Sequence, residues 1–354
     1  MRDRRKFLKA MACAGAGGMM MGRVPFTMAQ AARRKIMLAG FPAIVIDVHA
    51  HCEIKAVEQL VSGTPLEMKA SPARIMGPKR IEQMDELGID IQAIHVGQYW
   101  WYSADAALSR RITRTMNEGM AEWVAQHPDR FVALAAVSMQ HPAQAAEELE
   151  HAVRELGLRG ASIGGHVDGA VPSAEKFDVF WAKAAELNVP VFMHPQNAEF
   201  FVEPEEFEGR GGLGNVIGNP LETTMFLSRL IFDGTFDRHP DMKVVTVHGG
   251  GYLPSYSGRS EVACETRPKE SDCANKKNPR EYLRSQIFVD SVVFTEENLE
   301  HLVRIMGASQ VVYGTDIPYG WPDTLDLIVN ASGLSNAEKE AILGGNLKKL
   351  LKIT

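Results

Sequence analysis

Five residues whose side chains bind metals or carry protons stand at the ends of short apolar runs. They are His49, His51, His194, His248 and Asp316. The runs that precede them are rich in β-branched residues and cover positions 43–48, 189–193, 243–247 and 310–315. In a β/α barrel the C-terminal ends of the parallel strands meet at one face, where ligands and catalytic groups assemble. Imidazoles with one carboxylate suit zinc or another first-row divalent metal, so the pattern predicts a metalloenzyme.

The spacing of these residues divides them into ligands and a proton carrier. His49 and His51 are two apart, which places both side chains on one face of a strand. With His194 and Asp316 they would give three imidazoles and one carboxylate, with room for a water. His248 is better placed beside that water, where an imidazole can orient it or carry its proton. The predicted metal ligands are therefore His49, His51, His194 and Asp316, and the predicted catalytic residues are His248 and Asp316.

The segments around these residues alternate between two periodicities. Apolar runs predict eight strands, at 43–48, 90–96, 131–137, 159–164, 189–194, 243–248, 286–290 and 310–315. Helical spacing of apolar residues predicts seven helices, at 78–87, 108–126, 142–156, 175–187, 221–235, 295–306 and 335–350. This alternation predicts a (β/α)8 TIM barrel over residues 43–354. The long connections after the fifth and sixth strands, 195–219 and 249–285, would shape or cover the substrate pocket.

Composition narrows the class of partner. The chain has 354 residues, of which 45% are hydrophobic and 23% charged, as in ordinary globular proteins. A net charge of -6 and a pI near 6.0 argue against nucleic acid, which would require a basic face. No apolar stretch approaches the ~20 residues of a membrane helix. We therefore expect a small molecule as the partner.

The first thirty-one residues carry the marks of an export signal. Positions 3–9 read Asp-Arg-Arg-Lys-Phe-Leu-Lys, which matches the twin-arginine motif, and an Ala/Gly/Met stretch follows over 10–21. An Ala-Gln-Ala triplet at 29–31 provides a cleavage site. We predict a twin-arginine signal peptide over 1–31, recognition by the twin-arginine export machinery, and a periplasmic or exported protein. The alternative is a basic, disordered tail.

Removal of this segment would leave three cysteines. Cys264 and Cys273 are nine residues apart and would be able to pair in an oxidising compartment, whereas Cys52 has no partner. Two unpaired loop thiols are an equally good interpretation.

From about residue 45 to residue 353 the chain resembles the amidohydrolase-related decarboxylases, the amidohydrolase-2 group. Four motifs carry most of the resemblance: Asp47-Val-His49-Ala-His51, Met193-His194-Pro195, Val247-His248-Gly-Gly-Gly251 and Gly314-Thr-Asp316-Ile-Pro318. The resemblance implies one divalent metal per chain, most often zinc and sometimes manganese, on the four ligands given above. Binuclear relatives use a lysine on the fourth strand to bridge two metals. The predicted fourth strand, 159–164, contains no lysine, which favours a single metal.

The resemblance also implies a homodimer and an arginine contact to the substrate, while the other candidate contacts follow from the positions of the residues themselves. Arg259 stands where the family has an arginine that reaches into the neighbouring subunit's site, where it would bind a carboxylate; the alternative is a surface arginine. Trp100 belongs to an aromatic run over 97–102 that would stack on a flat substrate or pack the loop. His166 follows the fourth strand and would line the pocket. Arg74 is a weaker candidate for a second anion clamp.

The sequence leaves more than one reaction open. The first hypothesis is non-oxidative decarboxylation of a small aromatic or conjugated carboxylic acid. The alternative is a metal-dependent hydrolase or hydratase, acting for example on a lactone or amide, since fold does not decide the reaction. A non-catalytic binder of a metal or ligand is the third class.

Overall fold

The structure, a computed structural model, describes residues 33–97, 100–196 and 198–354. The predicted signal peptide over 1–31 lies outside the described residues. Arg33–Thr354 is one compact unit. It starts ahead of the predicted boundary at 43, because a short hairpin of Met37–Leu38 and Phe41–Pro42 precedes the first barrel strand.

Parallel strands pair in chain order around a barrel. The strands are β1 (Ile46–Cys52), β2 (Ile91–Val96), β3 (Phe131–Ala133 and Ala135–Ala136), β4 (Ala161–Gly164), β5 (Pro190–His194), β6 (Lys243–Thr246), β7 (Ile287–Asp290) and β8 (Val311–Val312). The barrel closes where the backbone N–H of Val48 donates to the carbonyl of Tyr313 at 3.1 Å. The N–H of His51 donates to the carbonyl of Ile317 at 2.9 Å further along the same seam. The predicted (β/α)8 barrel is confirmed.

The third strand changes its partner at Leu134. The N–H of Leu134 donates to the carbonyl of Ile94 in β2, and the N–H of Ala135 donates to that of Gly160, just before β4. The single strand predicted at 131–137 is therefore two short segments, one on each neighbour.

Helices cover the outside of the barrel, and all seven predicted helical segments are helical. The α-helices are Val57–Val61, Pro78–Leu87, Ala106–Gln126, Pro142–Arg154, Asp178–Glu186, Asn219–Phe232, Thr235–Arg238, Leu253–Thr266, Pro268–Ser271, Pro279–Leu283, Glu296–Met306, Leu325–Asn330, Asn336–Glu340 and Asn346–Leu350. Their ends follow the local sequence: Thr295 caps one helix, and Ser335 forms a capping box with Glu338. A π-helical turn, Ala341–Gly345, joins the last two helices into the continuous segment predicted at 335–350. Among the described residues, no helix is long and apolar enough to cross a membrane.

The connection after β6 is more ordered than the sequence indicates. It contains the helices Leu253–Thr266, Pro268–Ser271 and Pro279–Leu283 rather than an irregular loop. Leu253–Thr266 buries only its first turns, through Leu253, Pro254 and Ser257. A helix with so few buried apolar residues leaves no helical periodicity in the sequence, which is why the pattern misses it.

Two apolar layers lie on opposite sides of the sheet. The barrel interior contains Val48, Leu134, Phe192 and Val247, among others, and Leu347 from the last helix packs with them. The larger layer lies between the strands and the surrounding helices. Side chains alternate between the two layers along the regular stretches of the strands, as expected for a parallel sheet covered on both sides.

Cys264 and Cys273 are joined by a disulfide, with their Cα atoms 5.9 Å apart. The bond connects the end of Leu253–Thr266 to the segment after Pro268–Ser271. Cys52 is a buried free thiol, and burial raises its pKa to about 12.

Replacing both disulfide cysteines by serine should lower the stability of the folded barrel. The closed loop is short, so the expected loss in the free energy of unfolding is about 2–3 kcal/mol. Urea unfolding of the oxidised protein and of the Cys264→Ser/Cys273→Ser variant measures it, with Cys52 intact in both. Equal urea midpoints would show that the bond does not constrain the unfolded chain.

Candidate metal centre

A β-bulge in β1 turns the two histidines of that strand into the barrel. The register between β1 and β2 shifts between Asp47 and Ala50. Below the bulge Val48 packs in the interior, whereas above it Cys52 packs in the outer layer. The bulge reverses the alternation, so that His49 and His51 face the interior above Val48. Bulges commonly re-aim side chains next to active sites.

Four buried side chains converge at the C-terminal face of the barrel. His49, His51, His194 and Asp316 each offer one ligand atom, and these atoms lie within 4.8 Å of one another. The Nε2 atoms of His49 and His51 are both 3.0 Å from Oδ1 of Asp316. Ligand atoms that each lie about 2.0–2.2 Å from one metal ion have separations of this order. The distances therefore fit a single divalent metal.

The protonation states of three of the four groups fit a cation, and the fourth group, His49, must lose a proton to bind one. Burial lowers the pKa of His51 to about 4 and that of His194 well below its usual value, so both imidazoles are neutral and have a free lone pair. Burial also acts to lower the pKa of His49, but Asp316 and Asp290 outweigh it and raise that pKa to about 10. Burial acts to raise the pKa of Asp316, yet the imidazoles around it, His49 foremost, hold it below the ordinary range. An ionised carboxylate among imidazoles is a donor set for a divalent metal.

Asp290, at the end of β7, holds the ring of His49. The Nδ1–H of His49 donates to Oδ2 of Asp290 at 2.7 Å, which directs the Nε2 lone pair toward the centre. Oδ1 of Asp290 accepts the N–H groups of Gly249 and Val292 at 2.9 and 3.2 Å. Asp290 is not among the residues predicted from the sequence, although it ends the strand predicted at 286–290 in the same position as the ligands. A carboxylate at that strand end was the available signal.

A second buried carboxylate, Asp47, fixes the strand that carries the two histidines. Its Oδ1 accepts the backbone N–H groups of His49 at 2.9 Å and Thr315 at 3.1 Å. Its Oδ2 accepts from Nε2 of Gln92 at 2.9 Å and from Oγ1 of Thr315 at 2.8 Å. Burial raises the pKa of Asp47, while these donors act to lower it. One side chain thus connects β1 to β2 and to the residues after β8.

Two glycines leave room for the ligand rings. A Cβ atom at Gly97 would lie 2.0 Å from Nδ1 of His51, and one at Gly314 would lie 2.9 Å from Cβ of His49. Any side chain at either position would displace a ligand.

Asp316 and His248 face each other across the centre in unusual backbone conformations. Their φ angles are 60° and 55°, in the left-handed region that costs a non-glycine residue roughly 1–3 kcal/mol. Nε2 of His248 lies 3.6 Å from Oδ2 of Asp316, the carboxylate oxygen other than the one next to His49 and His51. His248 keeps 15% of its side chain exposed, so it faces both Asp316 and the open cavity.

A polar cavity of about 250 Å³ opens onto this centre. It is lined by His194, Asn215, Asn219, His248, Asp316, Tyr319 and Trp321. The sequence analysis did not identify Asn215, Asn219 and Trp321 as site residues, because they come from connections rather than from strand ends. The cavity is large enough for a small organic acid beside His248.

The three predicted substrate-binding residues, Trp100, His166 and Arg259, lie in three different environments. Trp100 is 4% exposed, and its indole N–H donates to the carbonyl of Ser162 at 3.0 Å. The half-buried ring of His166 lies 5.2 Å from that of Phe200. Arg259 is exposed on the helix Leu253–Thr266. Within the described part of the chain, none of these three side chains lines the cavity of the metal centre.

Arg74 and Tyr319 form a second wall close to the ligands. The ring of Tyr319 lies 4.9 Å from that of His51, and Nη1 of Arg74 donates to the Tyr319 hydroxyl at 3.1 Å. Glu53 accepts a hydrogen bond from Nε of Arg74 at 2.6 Å. Arg74, the weaker candidate for an anion clamp, therefore contacts Tyr319, and Tyr319 in turn contacts the ligand His51.

Buried Glu222 connects the ends of two barrel strands. Its Oε1 accepts the N–H of Gly165 after β4 at 3.1 Å, and its Oε2 accepts the N–H of Gln196 after β5 at 3.0 Å. The helix Asn219–Phe232 thereby holds the backbone beside His194.

Replacing Asp290 by asparagine should weaken metal binding. The variant keeps the size of the side chain but loses the charge that orients His49, and loss of such a partner costs about 10–100-fold in metal affinity. Chelator competition with zinc and with manganese measures the dissociation constants. Asp323→Asn is the matched control, because that carboxylate accepts from the Tyr313 hydroxyl and not from a ligand histidine. An unchanged affinity in Asp290→Asn would remove Asp290 from the metal centre.

Comparison with known proteins places this geometry in a family. The model of the family described as amidohydrolase, Amidohydro_2, matches residues 46–353. The 2-amino-3-carboxymuconate-6-semialdehyde decarboxylase of Dictyostelium discoideum is 32% identical over 77% of this chain and 75% of that protein. A gamma-resorcylate decarboxylase of Polaromonas sp. strain JS666 is 30% identical over 78% of this chain and 87% of its own length.

A solved structure agrees with the fold. A dihydroxybenzoic acid decarboxylase from Polaromonas sp. JS666, with bound manganese and the inhibitor 2-nitroresorcinol, superposes with a TM-score of 0.77. It is 26% identical, and the match covers 88% of this chain and 97% of that one. These relatives support the prediction of a carboxy-lyase over that of a hydrolase. The family match covers nearly all of the described barrel, and the chain belongs to the amidohydrolase family, Amidohydro_2.

Proposed function

We propose that the protein is a metal-dependent, non-oxidative decarboxylase of a small aromatic carboxylic acid, with zinc as the first candidate metal and manganese as the second. The observation that carries the proposal is the position of Asp316, whose Oδ1 faces the ligand histidines and whose Oδ2 faces His248. A metal-dependent decarboxylase needs a metal that orients the acid and a proton source at one carbon atom, and Asp316 contacts both the ligand histidines and His248. The decarboxylase relatives support the same reaction.

His49, His51, His194 and Asp316 would hold the metal. When bound, a divalent cation supplies a Lewis acid that neutralises and orients an anionic substrate. The cavity of about 250 Å³, which His194, Asp316 and His248 all line, accommodates the acid beside this centre.

The side chains of His248 and Asp316 are proposed to supply the proton that the reaction needs. The bond between the ring carbon and the carboxylate breaks, CO2 leaves, and the electron pair stays on the ring carbon, which must take up one proton. His248 is proposed to hold that proton at Nε2 and to deliver it to the carbon, while Oδ2 of Asp316 orients the imidazole. Solvent in the open cavity then restores the proton to His248.

Hydrolysis of a lactone or amide remains the alternative on this scaffold, since a metal centre with a neighbouring histidine also activates water. The two reactions differ in their products: a decarboxylase releases CO2, whereas a hydrolase releases none. The named relatives favour the decarboxylase.

We also propose a homodimer in which Arg259 of one copy binds the carboxylate of the acid in the other copy's cavity. Its exposure on Leu253–Thr266 supports this role, and a guanidinium binds a carboxylate through two parallel hydrogen bonds. His166 stays a proposed pocket residue. The indole contact of Trp100 with Ser162 supports the alternative that this residue packs its loop.

Export through the twin-arginine pathway to the periplasm is a further part of the proposal. The motif at positions 3–9 supports it, and so does the disulfide between Cys264 and Cys273, because disulfides persist in oxidising compartments. The twin-arginine route carries folded proteins, so the metal would be loaded before export.

His248→Ala should retain the metal and lose turnover. The imidazole is not among the four ligands, and loss of a general acid costs about 100-fold or more in kcat. Metal content of the purified variant and CO2 release from 2,6-dihydroxybenzoate are the two measurements. His151→Ala, on the helix Pro142–Arg154, is the control and should match the wild type. A variant that loses the metal would make His248 a ligand rather than a proton donor.

Arg4→Lys/Arg5→Lys should abolish export. The twin-arginine pair is the recognised element, so cell fractionation should find the variant in the cytoplasm and the wild type in the periplasm. Arg23→Lys makes the same chemical change outside the motif and should be exported normally. Export of the double variant at the wild-type level would contradict the assignment of the first thirty-one residues.

A further inference from the structure

We propose that the apolar cavity beside the metal centre, here called the distal chamber, binds an apolar aryl or alkyl substituent on the acid. This inference rests on the proposed decarboxylase function and narrows its substrate class. The substrate is then an aromatic acid with a bulky apolar group at one end, rather than a bare dihydroxybenzoate.

The distal chamber adjoins the cavity of the metal centre. Its volume is about 480 Å³, against about 250 Å³ for the cavity over the ligands. The two share Asn215, His248 and Trp321 as lining residues. A molecule whose carboxylate lies in the cavity of the metal centre therefore has open space beyond His248, between the connections that follow β6 and β7.

The walls of the chamber are apolar where those of the metal cavity are polar. They include Val292, Val293, Phe294, Leu302 and Trp321. The rings of Phe294 and Trp321 are 5.5 Å apart at an angle of 34°, and the two residues are 41% and 40% exposed. Covering exposed aromatic surface is favourable in proportion to the apolar area removed from water. The chamber therefore favours the binding of an apolar ligand group.

The backbone holds Phe294 in this exposed position at a cost. Its φ angle is 61°, a left-handed conformation that is rare for a bulky aromatic residue. A tight turn centred on Phe294 accompanies this conformation, because the N–H of Thr295 donates to the carbonyl of Val293 at 2.9 Å. Strain of this kind concentrates at ligand-binding sites.

One polar atom lies on the far wall. Nε2 of His301 is buried and, among the described residues, has no hydrogen-bond partner. Asn298, one helical turn earlier, also lines the chamber. An apolar substituent that ends in a hydroxyl or carbonyl group would satisfy His301 and fill the apolar part of the chamber.

The first experiment measures binding to the chamber without the reaction. Calorimetry titrates 4-hydroxybiphenyl, a neutral apolar probe that has no carboxylate, into the zinc-loaded protein. The chamber is filled by Asn298→Trp and, as a second variant, by Val216→Trp. The matched controls are Glu297→Trp and Ile217→Trp, whose positions are adjacent and do not line the chamber. We expect saturable binding to the wild type and both controls, and at least tenfold weaker binding to both filled variants.

The second experiment compares substrates. The ratio of kcat/KM for a phenyl-substituted 2,6-dihydroxybenzoate to that for the unsubstituted acid should exceed one in the wild type. It should fall at least tenfold in Asn298→Trp and remain unchanged in Glu297→Trp.

Failure of this inference and failure of the proposed function give different results. If CO2 is released but the probe does not bind, or the filled variants bind it as the wild type does, the chamber is not a ligand site and the inference is wrong. Probe binding that the filled variants lose, without CO2 from any acid, would support the chamber and contradict the decarboxylase. Sedimentation that shows a monomer for Asn298→Trp and a dimer for the wild type, without probe binding, would assign the chamber to a second copy of the chain and overturn the inference.

Discussion

The carboxylate of Asp316 is the group on which the rest of the site depends. One of its oxygens lies 3.0 Å from both β1 imidazoles, and the other lies 3.6 Å from His248. A shift of the carboxylate would therefore disturb the donor set and the proton donor together. The backbone holds it firmly, because the N–H of Asp316 donates to the carbonyl of His49 at 2.9 Å across the seam that closes the barrel. The hydrogen bonds that close the barrel between β1 and β8 therefore also position the ligands of the site.

Contacts around the site offset the free-energy cost of holding Asp316 and the ligand imidazoles buried close together. Asp316 and His248 occupy left-handed conformations, and three imidazoles are buried close together. Buried carboxylates outside the donor set compensate: Asp47 fixes the backbone of β1, and Asp290 orients the ring of His49. Polar groups buried in this way stabilise a site only when their hydrogen bonds are made, and each of these carboxylates accepts at least three. A bound cation would relieve the remaining electrostatic cost.

Much of this centre was predictable from the sequence because it follows strand ends. His49 and His51 lie in the second half of β1, His194 ends β5, and His248 and Asp316 follow β6 and β8. The apolar runs of all these strands are visible in the sequence. The β-bulge was not predictable, since nothing in Val48-His49-Ala50 distinguishes a bulge from regular pairing. The helix Leu253–Thr266 was missed because so little of it is buried. The distal chamber was missed for another reason: its residues come from several separate connections, and only the tertiary fold brings Phe294 next to Trp321.

The measurement that tests the central claim most directly is decarboxylation in D2O. The mature protein, reconstituted with one equivalent of zinc or manganese, would be mixed with 2,6-dihydroxybenzoate and its phenyl-substituted analogue, and the CO2 released and the deuterium in the product would be quantified. The account predicts one CO2 for each product molecule, one deuterium at the carbon that lost the carboxylate, and no turnover in the metal-free protein. Consumption of a lactone or amide without CO2 from either acid, or equal turnover with and without metal, would contradict it.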